Sequence, residues 1–495
     1  MSILYKSTRG DADFVTASEA IIKGLADDGG LYVPTEIPQL SVSAEALVDM
    51  SYQEVAYLVM KEFLTDFSEA ELRDCIRCAY DDKFDTEIIA PLVKHDGQYF
   101  VELFHGPTIA FKDMALSILP HLLTTSLKKN HVEKKIVILT ATSGDTGKAA
   151  LAGFKDVSGT GIIVFYPKGG VSPIQEKQML TQKGNNTFVV GIRGNFDDCQ
   201  TGVKKIFSDK KFGEEISEKG YQFSSANSIN IGRLIPQVAY YAYAYACMLG
   251  RGEINKGDTI NVAVPTGNFG NILAAYYAKR MGIPINKLIC ASNENKVLYD
   301  FFETGCYDRK REFILTSSPS MDILISSNLE RLIYFIADEN AEISAKLMEE
   351  LSMKGSYQIT DKMKNNLKDF YGVYASEEEV FEKIKNTYQN ANYIMDTHTA
   401  VAAAALDKYS KQTGDNHKCV IMSTASPYKF ARSVMTAIDS SYKQVEDFDL
   451  IDKMCEISGV SVPRAIEEIR NASTLHDTIC DTVEMKSVVE KILKV

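Results

Sequence analysis

Ile136-Val137-Ile138-Leu139-Thr140, followed by Ala141-Thr142-Ser143-Gly144-Asp145-Thr146-Gly147 and an alanine-rich stretch of helical spacing, decides the fold class of this chain. A continuous apolar and β-branched run reads as a strand buried on both faces, as in a parallel sheet. The same signal returns at residues 161–166, 187–190, 259–264, 288–291 and 419–422, with helical spacing between the runs. Strands alternating with helices predict an α/β protein with right-handed crossovers.

Outward from this sheet, residues 1–95 read as a mostly helical region, with one helix ended by Gly24 and helical spacing again over 52–84. Between 297 and 392 the strand signals thin out and charged helical patterns take over, which predicts a helical insertion. Tyr393-Ile394-Met395 is expected to resume the sheet, and 431–495 to be helical. The expected organisation is a large domain built from 96–135 and 236–430, a small mobile α/β domain over 136–235, and the two flanking helical regions. Residues 234–249 form a helical stretch whose Tyr240, Tyr241, Tyr243 and Tyr245 read as packed core rather than a ligand box.

With 495 residues the chain exceeds a single core. A net charge of −12 argues against nucleic-acid binding, which needs a basic surface, so an anionic small substrate would need a local basic cluster. Nine scattered cysteines predict reduced thiols and a cytoplasmic setting. Cys75 and Cys78 form a CxxC with no second pair, so no metal site is expected. The opening MSILYKSTRG lacks the apolar core of a leader or anchor, and no run approaches the ~18 apolar residues of a membrane span.

The chemistry centres on Phe104-His105-Gly106-Pro107-Thr108-Ile109-Ala110-Phe111-Lys112-Asp113. Lys112 stands among apolar neighbours where a loop becomes a helix, which disfavours its charged form and suits a Schiff-base lysine. An ordinary lysine at a helix start fits the same residues. Three strands end in unusual turns: at Ser143 to Gly147, at Gly267-Asn268-Phe269-Gly270-Asn271, and at Ser423-Thr424-Ala425-Ser426-Pro427. In an open α/β sheet such turns face one crevice. The glycine-rich turn at 267–271 would cradle a phosphate on helix N-terminal N–H groups, though GxGxxG is absent. A nucleotide phosphate loop ending at Gly147-Lys148 fails twice, because Thr142 and Ala149 stand where a glycine and a serine or threonine are required. Asn230 and Arg233, before the tyrosine-bearing helix, suit a second anion, or simply a cap and a surface arginine. Schiff-base lysine, phosphate cradle, hydroxyl turn and second anion site together point to pyridoxal phosphate, with Thr424 as candidate partner of the pyridine nitrogen.

At this level the sequence resembles the threonine synthase family, in the fold type II group of pyridoxal-phosphate enzymes. The resemblance rests on Ser7-Thr8-Arg9-Gly10, Asp28-Gly29-Gly30-Leu31, His105-Gly106-Pro107-Thr108, Ala110-Phe111-Lys112-Asp113, Ser143-Gly144-Asp145-Thr146-Gly147, Asn227-Ser228-Ile229-Asn230, the 267–271 turn, Ser318-Pro319-Ser320-Met321-Asp322-Ile323 and Ser326-Ser327-Asn328. It implies two open, twisted, mostly parallel sheets flanked by helices, as in the tryptophan synthase β-like fold, and the longer yeast- and enterobacterial-like branch.

By resemblance, Lys112 links covalently to pyridoxal phosphate. Gly267, Asn268, Phe269, Gly270 and Asn271 hold the cofactor phosphate, and Thr424 faces the ring nitrogen. Ser143, Gly144, Asp145 and Thr146 receive the substrate carboxylate, and Asn230 and Arg233 the substrate phosphate. Many relatives carry histidine at Ser426 and Pro-Ala-Lys-Phe in place of Pro427-Tyr428-Lys429-Phe430. The implied reaction is γ-elimination of phosphate from O-phospho-L-homoserine and β-addition of water to give L-threonine, by a monomer or homodimer without nucleic-acid or membrane partners. The rivals are another lyase on this scaffold, such as threonine dehydratase or a cysteine synthase, and a non-catalytic ligand sensor.

Overall fold

The structure, a computed structural model, describes residues 2–10, 13–142 and 144–495, with the backbone alone at Asp197. Ser143 lies outside the described residues. Two sheets organise the chain. The larger runs in the order Phe370–Tyr374, Ile285–Ser292, Ile260–Pro265, Cys419–Ser423, Gln98–Glu102, Leu92–His95. Its pairs are parallel except the last, an antiparallel hairpin. The smaller is wholly parallel, ordered Thr478–Cys480, Thr187–Ile192, Thr160–Pro167, Lys135–Ala141, Tyr221–Ser224. Ile260–Pro265 and Thr160–Pro167 are buried at every residue, which is why they read as unbroken apolar runs rather than alternating ones.

The helix Ile231–Gly250 is the spine between the sheets and the N-terminal region. It packs on both Tyr52–Phe63 and Gly270–Arg280. Tyr240, Tyr241 and Tyr245 are buried in it. The Tyr241 hydroxyl donates to the Asn271 carbonyl at 2.8 Å, so the spine fixes the start of the helix that follows the glycine turn. Helix starts follow the sequence closely: Thr16, Ser51, Ser68, Ser172 and Ser376 each close a capping box with a Glu or Gln three residues on.

Four expectations are corrected. Tyr393, Ile394 and Met395 form no strand. They link the helix Glu377–Ala391, whose cap Asn392 is left-handed at φ 52°, to the helix Thr397–Thr413. The edge strand of the large sheet is instead Phe370–Tyr374, inside the stretch expected to be helical. Its Gly372 reads as a breaker, but a Cβ there would lie 2.9 Å from the Phe302 side chain, so the glycine makes room for a packed helix. Finally, the C-terminal stretch is not only helical: Thr478–Cys480 completes the small sheet beside Thr187–Ile192, and Met485–Leu493 packs on Phe196–Ser208. Three residues between polar neighbours are too short for a periodic signal. Leu92–His95, likewise on the far side of the expected boundary at 95, belongs to the large sheet. Among the described residues no helix is long and apolar enough to cross a membrane.

Candidate active site

The Lys112 turn is bolted to the turn after Cys419–Ser423. Phe111 N–H donates to Thr424 O at 2.8 Å, Ser426 N–H to Ile109 O at 3.0 Å, and Ala110 bridges Ala425. Ile109 adopts φ 53°, an unfavourable conformation for a β-branched residue, held by these contacts on either side. Asp113 secures the turn from within: its carboxylate accepts the Thr108 N–H at 2.8 Å and the Thr108 hydroxyl at 2.5 Å. Lys112 and Thr424 are thereby brought together. The Thr424 hydroxyl has no partner among the described residues; only the backbone of Thr424 is bonded, to Phe111 and to Thr399 Oγ1.

Lys112 is buried, at 9% exposure. Its Nζ lies 3.3 Å from Asp145 Oδ2 and 3.4 Å from Ser320 Oγ. Burial pushes its pKa down, and the charges of Lys429 and Arg233 push the same way against Asp145. Asp145 itself is almost wholly buried and is contacted on both oxygens. Oδ1 meets Lys429 Nζ at 3.0 Å and Gln175 Nε2 at 2.8 Å, while Oδ2 meets Lys112 and, at 2.8 Å, Ser320 Oγ. Burial alone would raise its pKa, but Lys429 and then Lys112 hold the carboxyl well below the usual range. Ser320 N–H donates to His398 Nε2 at 3.1 Å. That nitrogen is therefore the acceptor, and Nδ1, 2.7 Å from Asp396 Oδ2, carries the proton.

Asp145 starts the helix Asp145–Phe154 on the small sheet, whereas Lys112, Lys429 and Ser320 all belong to the large one or its insertion. The turn before it is tight. Gly144 has φ 128°, Thr142 Oγ1 accepts both the Gly144 and Gly147 N–H groups, and a Cβ on Gly144 would lie 2.5 Å from Gln175. Thr146 falls in the first helical turn.

The glycine turn presents its carbonyls inward. Gly267 O accepts the Ser326 hydroxyl at 2.7 Å, and Asn268 O accepts the Asn328 N–H and side-chain amide, both at 3.0 Å. The N–H groups of Gly267, Asn268, Phe269 and Gly270 have no acceptor among the described residues. Phe269 takes the left-handed conformation at φ 65° at the cap of Gly270–Arg280, and Asn271 Nδ2 donates to Pro265 O at 2.8 Å. Orphan donors at a helix N-terminus form an anion cradle. The buried lysine, this cradle and the unpartnered Thr424 hydroxyl are the donor set that pyridoxal phosphate requires, so the residues fit that group.

Arg233 is 3% exposed and has no carboxylate partner among the described residues. Nη1 donates to Ala226 O at 3.0 Å and Nε is buried without a partner. Burial lowers its pKa to about 10. An unpaired guanidinium in such a place is costly unless an anion joins it. Asn230, by contrast, is not available to a ligand in the way expected. Its Oδ1 caps Gly232 N–H at 2.9 Å and its amide donates to Ile21 O and Ser225 O, so it spends its side chain on starting the spine helix.

Sequence reasoning missed Lys429, Gln175, Ser320 and His398 as members of this centre. Lys429 stood in view in the Pro427-Tyr428-Lys429-Phe430 stretch, but nothing local marks a lysine there as buried. Asp145 stands in the turn expected to receive the substrate carboxylate. Its carboxylate faces two ammonium groups, so within the expected carboxylate-receiving loop this side chain serves the lysines.

Three family models match in succession: "Threonine synthase N terminus" over residues 4–80, "Pyridoxal-phosphate dependent enzyme" over 87–425 and "Threonine synthase, C-terminal" over 399–479. Threonine synthase of Saccharomyces cerevisiae is 37% identical over 480 residues, covering 90% of this chain and 91% of the yeast protein. Human threonine synthase-like 1 is 43% identical over 434 residues, 85% of this chain. The chain spans 58% of the length of that relative and at most 66% of its mammalian counterparts. The crystal structure of PLP-bound threonine synthase from Brucella melitensis superposes with a TM-score of 0.87 at 35% identity, over 100% of this chain and 99% of that one. The yeast enzyme does so with a TM-score of 0.88 at 34% identity, over 99% of both. Matched from its N-terminal segment through its cofactor domain to its C-terminal segment, the chain belongs to the threonine synthase family of fold type II pyridoxal-phosphate-dependent enzymes.

Proposed function

We propose that this protein is a threonine synthase, converting O-phospho-L-homoserine and water to L-threonine and phosphate. The observation that carries the reading is Arg233. A buried guanidinium with no carboxylate partner among the described residues and its Nε left unpaired calls for an anion beyond the one the 267–270 cradle would hold. A substrate bearing its own phosphate supplies that anion; hydroxy- and acetyl-amino acids do not.

In this reading Lys112 would hold the cofactor through its aldehyde. Gly267, Asn268, Phe269, Gly270 and Asn271 would hold its phosphate, and the Thr424 hydroxyl would face its pyridine nitrogen. Bound there, pyridoxal phosphate supplies an electron sink for negative charge developed at Cα and Cβ. Lys112, as a neutral amine beside the substrate, would take protons from Cα and then Cβ. Arg233 holds the phosphate that leaves from Cγ, after which water adds at Cβ. The turn of Ser143, Gly144, Asp145 and Thr146 orients the substrate carboxylate. A small domain over 136–235 closing on the large one would exclude water until the addition step. The nine cysteines, all free, suit a cytoplasmic setting, and the enzyme would act as a monomer or homodimer.

The test is an end-point assay with purified protein, pyridoxal phosphate and O-phosphohomoserine, measuring threonine and phosphate together. Equal yields of both, abolished in Lys112→Ala, are expected. Phosphate without threonine would make the protein a different lyase on the same scaffold.

A further inference from the structure

Lys429 is a lysine of the buried centre to which the reading above gives no task. Its side chain is fully buried and carries two contacts: Nζ donates to the Thr108 carbonyl at 2.9 Å and lies 3.0 Å from Asp145 Oδ1. It comes from the short turn after Cys419–Ser423 and meets the Asp145 oxygen that Lys112 does not. We propose that Lys429 is a positioning residue that claims Asp145 through Oδ1, and so limits how strongly that carboxylate can hold the Lys112 ammonium through Oδ2.

The charges around Lys112 come from separate elements. The helix Asp145–Phe154 brings Asp145, the turn after Cys419–Ser423 brings Lys429, and the spine helix brings Arg233. The insertion loop brings only the Ser320 hydroxyl, and the neighbouring Asp113 carboxylate is occupied by Thr108. His398 stands behind Ser320, accepting its N–H on Nε2. One carboxylate thus serves two lysines, and the shorter contact goes to Lys429. Were Lys429 neutral, Asp145 would have Lys112 as its sole close cation, and the ammonium of Lys112 would be both better paired and less repelled. Lys112 must be neutral to attack an aldehyde. The second lysine therefore keeps the first reactive, without touching cofactor or substrate itself.

This inference rests on Lys112 being the amine that captures the cofactor, and the experiment separates the two claims. The full 495-residue chain, freed of cofactor with hydroxylamine, is mixed with pyridoxal phosphate from pH 6 to 10. The capture rate is followed by absorbance, with borohydride trapping and peptide mapping of the adduct. In Lys429→Met the pH midpoint of capture should rise by about one unit or more, a roughly tenfold smaller neutral fraction at a given pH below it. Lys429→Arg, which keeps the charge, should restore a midpoint near that of the wild type. A purely structural lysine would reduce the amplitude in the Met variant and leave the midpoint in place; that result overturns the proposal. Should Lys429→Met fail to fold, Asp145→Asn decides. With its one close anion gone, Lys112 faces Lys429 and Arg233 unopposed, so the midpoint should fall by about one unit, and an unchanged midpoint refutes the coupling. Adduct formation in Lys112→Ala would instead remove the premise that Lys112 is the capturing amine.

Discussion

Arg9 meets Glu330 through two parallel hydrogen bonds, Nε to Oε1 at 3.0 Å and Nη2 to Oε2 at 2.9 Å. The Thr8 hydroxyl adds a third at 2.6 Å. Next along the chain, the fully buried Arg331 donates to Tyr32 O and Ile229 O and reaches Asn328, which holds the glycine turn. The N-terminal segment is thus clamped to the insertion beside the site. Arg9→Ala leaves the Glu330 carboxylate buried with only Thr8, so it should cost about 1–3 kcal/mol in chemical denaturation. A double-mutant cycle with Glu330→Gln should return a coupling of about 1 kcal/mol or more. Additive effects would mean that the pair does not clamp.

Gly267 has no room for a methyl group. A Cβ would lie 2.8 Å from the Ser320 carbonyl and 3.3 Å from Met321 Cα, both backbone atoms. Gly267→Ala must displace the loop that places Ser320 against Lys112 and Asp145. Titration with pyridoxal phosphate, followed by absorbance, should show binding weakened at least about tenfold, with a stability loss of about 1–3 kcal/mol.

Arg233→Met is expected to separate stability from binding. Without ligand, the variant sheds an unpaired buried charge at the expense of one hydrogen bond to Ala226, and should gain about 1–2 kcal/mol in denaturation. The melting-temperature rise that O-phosphohomoserine gives the wild type should disappear. A variant less stable than wild type, still stabilised by that ligand, would show that the guanidinium is needed for packing and not for the anion.

His105 bridges two carboxylates, Asp85 at 2.6 Å and Glu102 at 3.0 Å. Burial pushes its pKa down, but these two partners override it and raise it to about 9. The folded protein therefore holds this proton more tightly than the unfolded chain, whose imidazole titrates near ~6.5. The stabilisation should be complete below about pH 6.5 and be lost as pH rises through about 9. The stability difference between wild type and His105→Asn, measured by denaturation at pH 6, 8 and 10, should shrink along that series. A difference independent of pH would assign His105 to packing alone.

The α/β class was legible because strands buried on both faces need continuous apolar runs, and Ile136 to Thr140 can be little else. The lysine, the glycine turn and Thr424 stood out as candidates for a related reason: each stands in a distinctive local pattern, such as the glycine turn with its left-handed Phe269. The rest of the centre comes from residues whose local sequence is ordinary. Gln175 completes a capping box through Oε1 while its Nε2 reaches Asp145, and only the first of these roles is visible in Ser172-Pro173-Ile174-Gln175. Lys429 is a charged residue at a helix start until the Thr108 carbonyl and Asp145 close over it. Strand Phe370–Tyr374 was hidden by Gly372, whose purpose lies in Phe302.

The short strand Thr478–Cys480 has a bearing on biosynthesis. It covers the edge of Thr187–Ile192, yet the ribosome makes it only after the spine helix, the large sheet and the insertion. At ~5–20 residues per second that edge waits on the order of tens of seconds with its backbone groups open to other chains. The nascent protein therefore exposes that edge throughout the synthesis of residues 193–477, and a chain stalled before residue 478 would carry it permanently.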